Sequence, residues 1–207
     1  MEDVYNIESV IKNMPQQPVI IDIGANAGFF DILFLSKINR AKIYAYEPIP
    51  RNIEQIKKLT SANPVIQNNI IIHEAAVTGT KQGTIDLYIE SEADNSVIAS
   101  VFSDFNSSNS QKISVKSITL TEIFQQNNLA YVDIMKVDCE GSEYDILYNT
   151  DPALIRRAKL ILLEVHDMDD NKNNLTTMNN FLISIGYTTT HRPINNFCHA
   201  LEAVLKN

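Results

Sequence analysis

The stretch VIIDIGANAGFF, residues 19–30, decides the fold. Residues 19–23 are rich in β-branched side chains, which is typical of a strand buried on both faces. The acid Asp22 lies just before Gly24, and Gly28 follows four residues after that glycine. Apolar residues then return at helical spacing, so a strand, a glycine-containing turn and a helix follow one another. Folds of this kind bind ligands at the carboxyl end of the strand.

The spacing of the glycines distinguishes between ligand classes. A dinucleotide fingerprint reads G-x-G-x-x-G, and its second glycine lets the backbone approach a pyrophosphate. Asn26 stands at that position, which argues against a nicotinamide dinucleotide. Asp22 would oppose an anionic ligand, whereas a ligand with an ammonium or sulfonium group would be attracted to it.

A second acid follows at the end of the next predicted strand. The phrase AYEPIPRN places Glu47 about nineteen residues after Gly28. A carboxylate at this point can accept hydrogen bonds from both hydroxyls of a ribose; the alternative is an acid that simply ends a strand in solvent. Taken with the turn, Glu47 predicts a ribose-bearing ligand without a pyrophosphate, and S-adenosylmethionine fits that description.

The rest of the chain alternates strands and helices and predicts a single α/β domain over residues 1–207. The β-α-β-α-β order of its first part implies right-handed crossovers and a parallel sheet. Two alternating strands then form a small β insertion before the α/β pattern returns. The predicted strands are residues 19–23, 42–47, 70–77, 84–90, 112–118, 131–138 and 159–166, with two more in YTTTHR and HALEAVLK; the predicted helices are residues 1–14, 29–39, 50–59, 120–127, 142–148 and 174–185.

Residues 91–111 are rich in Ser, Asn and Asp and predict a long loop. Loops of this length in compact domains are usually functional or disordered. Phe102 and Phe105 are apolar anchors within it, so one hypothesis is a lid over the substrate. The alternative is a surface insertion without a role in binding.

Composition excludes several classes of function. The net charge is −8 and no basic block is present, so nucleic acid is not expected as a partner. No apolar stretch is long enough for membrane insertion, and the acidic N-terminus does not resemble a signal peptide. Two cysteines suit a reducing compartment. We therefore expect a cytoplasmic protein that is a monomer or a homodimer.

Five phrases in order resemble the FkbM-type S-adenosylmethionine-dependent methyltransferases. They are VIIDIGANAGFF, AYEPIPRN, HEAAVTG, IMKVDCEGSEYDIL and LILLEVH, and HALEAVLK resembles the closing strand of that family. The resemblance implies a class I methyltransferase fold, a Rossmann-like and mostly parallel sheet of seven strands with the last antiparallel. It also implies methyl transfer, usually to an oxygen of a sugar or secondary metabolite.

The resemblance also assigns the cofactor site. The turn from Asp22 to Gly28 would hold the methionine part, Glu47 the ribose, and residues 74–76 would flank the adenine. The predicted cofactor-binding residues are Asp22, Gly24, Asn26, Gly28, Glu47, Pro48, Glu74, Ala75 and Asp138. The family motif also has a lysine at Lys136, which we expect to pair with a nearby acid.

The predicted catalytic residues are ionisable groups at the ends of two neighbouring strands. They are Asp138, Glu140, Glu164 and His166. In one mechanism His166 is the general base and a carboxylate orients it. In the other, Asp138, Glu140 and His166 hold Mg²⁺ or Mn²⁺ on the acceptor oxygen. The metal-free mechanism is preferred here, and a third interpretation is that His166 only ends the fifth strand.

The sequence therefore predicts an O-methyltransferase that acts on a small-molecule or carrier-bound hydroxyl acceptor. Two alternatives remain open at this point. One is a nicotinamide-dependent oxidoreductase on a Rossmann-like sheet, which the residue at position 26 argues against. The other is a non-catalytic protein that binds the cofactor, although such a protein would be expected to lose the acids at the strand ends.

Overall fold

A computed structural model describes residues 4–90, 99–100 and 109–206. Strands and helices alternate through most of this part of the chain. The strands are β1 Val19–Ile23, β2 Lys42–Tyr46, β3 Ile70–His73, β4 Ala76–Thr78, β5 Thr84–Glu90, β6 Ala99–Ser100, β7 Asn109–Thr119, β8 Val132–Val137, β9 Ala158–His166, β10 Tyr187–Pro193 and β11 Cys198–Leu205. The helices are α1 Ile7–Val10, α2 Phe29–Lys37, α3 Pro50–Ser61, α4 Pro64–Asn69, α5 Leu120–Gln126, α6 Glu143–Tyr148, α7 Pro152–Ile155 and α8 Leu175–Ser184, and a 3₁₀ turn, Ile11–Asn13, follows α1.

The main sheet has seven strands in the order β10-β11-β9-β8-β1-β2-β3. Only β11 runs antiparallel to its neighbours, β9 and β10, in this sheet. The predicted fold class is therefore confirmed. The strand order reverses between β1 and β8, and such a switch point opens a crevice at the carboxyl ends of the strands.

Two layers of helices cover the sheet. Apolar side chains of α5 to α8 pack on one face, and those of α1 to α3 pack on the other. The strands β1 and β8 are buried on both faces, which explains their continuous apolar sequences. None of the helices in residues 4–90, 99–100 and 109–206 combines the length and apolar character needed to cross a bilayer.

Two short helices, α4 and α7, were absent from the sequence predictions. Each begins with a proline that follows a capping residue. Asn63 accepts a hydrogen bond from the amide of Val65 at 3.1 Å, and Asp151 accepts one from the amide of Ala153 at 2.8 Å. An Asn-Pro or Asp-Pro pair is a recognised start signal, so both helices could have been found.

The prediction of one strand over residues 70–77 is wrong. The chain leaves the main sheet after β3, and β4 instead pairs with β7 in a separate four-stranded sheet, β4-β7-β5-β6. A continuous apolar run cannot by itself show a change of partner. Glu74 and Ala75 consequently lie in the connection between two sheets.

The small β insertion before the fourth strand of the main sheet, β8, is confirmed. Its strands β5 and β7 pair antiparallel. The predicted loop over residues 91–111 is wrong where β6 and the start of β7 fall within it. Residues 91–98 and 101–108, with Phe102 and Phe105, lie outside the described residues.

The turn after β1 gives a test of stability. A Cβ atom added to Gly24, at φ +77°, would lie 1.8 Å from the carbonyl oxygen of Asp138, whereas one added to Gly83, at φ +80°, meets no atom within 4 Å. We expect Gly83→Ala to lower the free energy of unfolding by about 1–2 kcal/mol, the cost of a left-handed alanine.

Gly24→Ala should lower the free energy of unfolding by about 1–3 kcal/mol more than Gly83→Ala does, because the backbone of Asp138 must also move. Urea unfolding of both variants measures the difference. Equal losses for the two variants would contradict the close approach of the turn to the end of β8.

Candidate active site

The turn after β1 joins three strand ends. The amide of Gly24 donates to the carbonyl of Tyr46 at 3.0 Å, and the amide of Asp138 donates to the carbonyl of Ile23 at 3.0 Å. Gly24, Asn26 and Gly28 all have positive φ angles, of 77°, 50° and 76°. Asparagine tolerates this conformation better than most residues. Asn26 can therefore take the left-handed conformation that this turn requires.

Glu47 lies immediately beyond β2 and closes over this turn. It is 3% exposed, and it accepts hydrogen bonds from the amides of Asn26 at 2.8 Å and Ile49 at 2.9 Å. The side-chain amide of Asn52 donates to it at 3.2 Å. Burial raises the pKa of Glu47, and these hydrogen bonds act in the opposite direction. Its carboxylate is therefore held at a fixed position beside the glycine turn.

A cavity lies between this turn, the end of β8 and the small sheet. Six of the predicted cofactor residues line it, namely Gly24, Asn26, Glu47, Pro48, Ala75 and Asp138. Asp22 and Gly28 are not among the lining residues, since Asp22 is fully buried and an added Cβ at Gly28 would lie 3.0 Å from Ile56. Glu74 is exposed and does not line the cavity.

The small sheet supplies an apolar wall that the sequence did not predict. Ile85 and Leu87 of β5 line the cavity opposite the glycine turn, together with Ile49. Leu87 and Ile49 are buried against each other. Strand alternation does place Ile85 and Leu87 on one face, but only the packing of the two sheets shows what that face covers.

A buried ion pair lies beneath the turn. Lys136 Nζ is 3.1 Å from Asp22 Oδ1 and 3.5 Å from Asp138 Oδ2, and it donates to the carbonyl of Gly24 at 2.7 Å. The expected pairing of Lys136 with an acid is thus confirmed. Asp31 of α2, which the sequence did not single out, is also fully buried. Burial and the nearby charge of Asp22 raise the pKa of Asp31 well above its usual value.

His166, the last residue of β9, lies between two carboxylates. Its Nδ1 is 3.1 Å from Glu143 Oε1, and its Nε2 is 3.4 Å from Glu140 Oε2. Glu143, at the start of α6, is fully buried and also accepts from the amides of His166 and Gly141, each at 2.9 Å. Glu143 is therefore the carboxylate that orients the ring.

These carboxylates decide the charge of the ring. Burial lowers the pKa of His166, but hydrogen bonds to Cys198 and Glu143 and the nearby charges outweigh it and raise the pKa to about 11. Burial raises the pKa of Glu140 to about 7, and His166 opposes that shift. With these neighbours alone, the imidazole ring is protonated near neutral pH.

Glu164 lies two residues earlier on the same face of β9. It accepts a hydrogen bond from the hydroxyl of Tyr5 at 3.0 Å, and the thiol of Cys198 is 3.7 Å from its other oxygen. Burial raises the pKa of Tyr5 well above its usual value, and the charges of Asp138 and Glu164 add to this shift. Tyr5 was missed in the sequence because its partner is 159 residues away.

The predicted catalytic residues come together in two overlapping groups. Ligand atoms of Asp138, Glu140 and His166 all lie within 4.8 Å of one another, and so do those of Glu164, His166 and Cys198. The first group opens onto the cavity, because Asp138 and Glu140 line it. Acids and an imidazole thus meet where a ligand in the cavity would present its reactive end.

Residues 22–189 match a known family, described as the methyltransferase FkbM domain. The chain belongs to the FkbM methyltransferase family. The expected family is confirmed. Membership in a methyltransferase family argues against the alternative of a nicotinamide-dependent oxidoreductase.

Three relatives of the methyltransferase are 23–26% identical to it in sequence. AMB antimetabolite synthetase AmbE of Pseudomonas aeruginosa is 23% identical over 82% of this chain, which spans 9% of AmbE. Methyltransferase sdnD of Sordaria araneosa is 24% identical, with 68% of this chain and 63% of sdnD covered. Methyltransferase 1 of Beauveria bassiana is 26% identical, with 86% and 75% covered. The chain thus spans less than two thirds of AmbE and sdnD.

Solved structures share the fold of the methyltransferase. The crystal structure of methyltransferase FkbM from Methylobacillus flagellatus gives a TM-score of 0.61 at 14% identity, with 92% of this chain and 44% of that chain covered. TrmK of M. capricolum, solved with S-adenosylhomocysteine, gives 0.55 at 10% identity, with 97% and 67% covered. At these identities the likeness concerns the fold.

The buried lysine of the methyltransferase provides a stability test. Lys136→Met leaves Asp22 fully buried without its cation, so we expect the free energy of unfolding to fall by about 3–5 kcal/mol. The control is Lys112→Met, because Lys112 pairs with Asp86 at the surface, where their side chains are 55% and 47% exposed. Such pairs contribute about 0–1 kcal/mol. Similar losses in urea unfolding would contradict the structural role of Lys136.

Two predicted cofactor residues allow a matched binding test. Glu47→Gln removes the carboxylate beside the turn, and we expect the affinity for S-adenosylmethionine to fall by about 10–100-fold, since hydrogen bonds to a charged group contribute about 1.5–3 kcal/mol. Glu74→Gln should bind as the wild type does, because Glu74 lies outside the cavity. Calorimetric titration measures both. Weakening by Glu74→Gln alone would contradict the assignment of the cavity.

Proposed function

We propose that the methyltransferase transfers a methyl group to the oxygen of a hydroxyl, on a sugar or secondary-metabolite acceptor that is free or carrier-bound. The observation that carries this proposal is the convergence of Asp138, Glu140 and His166 beside the cavity, which Asp138 and Glu140 line. A hydroxyl rarely ionises at neutral pH, so methylation of its oxygen needs a proton acceptor or a cation. This cluster can supply either.

The cofactor would fill the cavity with its charge near the acids. The methionine part would lie on the turn at Gly24 and Asn26, and the ribose would meet Glu47. The adenine would lie toward Ala75 and the apolar wall of Leu87. This orientation places the sulfonium toward Asp138 and Glu140, whose carboxylates would stabilise its positive charge.

The reaction itself is an in-line displacement. The acceptor oxygen forms a bond to the methyl carbon, and the bond between that carbon and sulfur breaks with its electron pair going to sulfur. The products are a methyl ether and S-adenosylhomocysteine. The proton of the hydroxyl is taken up by a basic group of the site or by solvent. Alignment of the oxygen with the methyl group supplies much of the acceleration.

The metal-free mechanism assigns His166 as the general base with a carboxylate partner. Glu143 occupies the place of that partner at Nδ1, and Glu140 faces Nε2. With carboxylates at both nitrogens the ring already holds a proton near neutral pH, and a protonated imidazole cannot take another. Carboxylates at both ring nitrogens also suit the second mechanism, in which a cation binds the hydroxyl.

The acceptor class is supported by charge and by one relative. The chain carries a net charge of −8, which repels nucleic-acid backbones. AmbE is an antimetabolite synthetase by name, and this agrees with an acceptor from secondary metabolism. The cytoplasmic location and the monomeric or dimeric state stay predictions.

A methyl-transfer screen tests the proposal. Incubation with methyl-labelled S-adenosylmethionine and panels of sugars, hydroxylated metabolites, their carrier-bound forms and amines should label hydroxyl compounds, as measured by mass spectrometry. Glu47→Gln provides the control, because it should lose transfer along with cofactor affinity. Label that appears only on nitrogen or carbon would contradict O-methylation.

A further inference from the structure

The acids and the imidazole at the mouth of the cavity come from two strand ends. Asp138 directly follows β8, and Glu140 follows two residues later with a left-handed backbone, at φ 49°. His166 ends the neighbouring strand β9. One ligand atom from each residue lies within 4.8 Å of the other two. Two carboxylate oxygens and one ring nitrogen thus lie close enough together to bind one cation.

A second layer of contacts fixes the tautomer of His166. Its Nδ1 faces Glu143 Oε1 at 3.1 Å, and Glu143 is itself held by two backbone amides. Because Glu143 is fully buried, the ring donates from Nδ1 and directs Nε2 at Glu140. Histidines that bind metal ions commonly donate their other N–H to a carboxylate in this way.

We propose that Asp138, Glu140 and His166 bind a divalent cation, Mg²⁺ or Mn²⁺, which in turn binds the oxygen of the acceptor hydroxyl. The role of the cation in the reaction rests on the proposed function. The binding of the cation does not depend on it. It departs from the preference for a metal-free site that the sequence suggested. It gives His166 the role of a metal ligand.

The types of ligand select the cation. Carboxylate oxygens with a single imidazole suit Mg²⁺ and Mn²⁺, whereas zinc sites usually contain more nitrogen or sulfur ligands. The other group, Glu164, His166 and Cys198, contains a thiol and would suit a softer ion. Cys198 is also buried, while Glu140 retains 30% exposure and faces the cavity.

The cation would lie between the two strand ends. Glu140 Oε2 and His166 Nε2 are 3.4 Å apart, so both atoms can bind the same ion. Three protein ligands leave coordination positions for the acceptor oxygen and for water.

The cation would then ease the loss of the acceptor proton. Positive charge lowers the pKa of a bound hydroxyl, as it does for bound water. The released proton would pass to solvent through water at a remaining coordination position. The oxygen keeps its electron pair and attacks the methyl carbon, and the sulfonium sulfur receives the pair from the bond that breaks.

Titration with Mn²⁺ alone tests the site on the full chain. Electron paramagnetic resonance measures free Mn²⁺ without cofactor or acceptor, and calorimetry gives the affinity. We expect one bound Mn²⁺ in the wild type and none in Glu140→Gln. Glu143→Gln should weaken Mn²⁺ binding by about 10–100-fold, because Glu143 orients His166 but is not itself a ligand of the ion. Glu164→Gln is the control that removes an equal charge nearby and should retain Mn²⁺.

Each result bears on one part of the proposal. Absence of Mn²⁺ binding by the wild type would overturn it, as would equal binding by Glu140→Gln. Loss of Mn²⁺ in Glu164→Gln but not in Glu140→Gln would move the ion to the thiol-containing group and also overturn it. An unchanged circular-dichroism spectrum shows that each variant is folded. Since methyl transfer is measured separately, failure of this site would leave the proposed function standing.

Discussion

The buried pair of Lys136 and Asp22 is the interaction on which the site depends. One ammonium group joins the carboxylate of β1, the acid after β8 and the carbonyl of Gly24. Each charge would be costly inside the sheet without the other. The pair therefore holds the two central strands and the glycine turn in register, and the cavity opens directly above it. Burial and the charge of Asp22 raise the pKa of the neighbouring Asp31.

The region above that pair contains more negative than positive groups. Asp138, Glu140, Glu143 and Glu164 converge on one imidazole, and Lys136 is already engaged. Such an arrangement is stabilised by cations, and methyl transfer supplies one in the sulfonium of the cofactor. A divalent ion would supply the other on the acceptor side. In the proposed reaction, the same electrostatic imbalance would attract the donor and help to activate the acceptor.

Local sequence predicted the framework because its signals are local. Alternation, glycine spacing and the acid at the end of β2 are all visible within a few residues, and parallel strands bring their carboxyl ends to one edge. The split between β3 and β4 was missed because one apolar run served two sheets. Tyr5 was missed for a related reason, since nothing near it in the chain indicates that its hydroxyl meets Glu164.

The sequence by itself determined the order of strands, the family, and the acids at the strand ends. These follow from residue periodicity and from motifs whose parts are close in the chain. Only the tertiary structure decided which carboxylate each group meets: Glu143 at Nδ1 of His166, Glu140 at Nε2, and Asp31 beside Asp22. Such pairings depend on distances of a few ångströms between separate elements, and those distances are set by how the helices pack on the sheet.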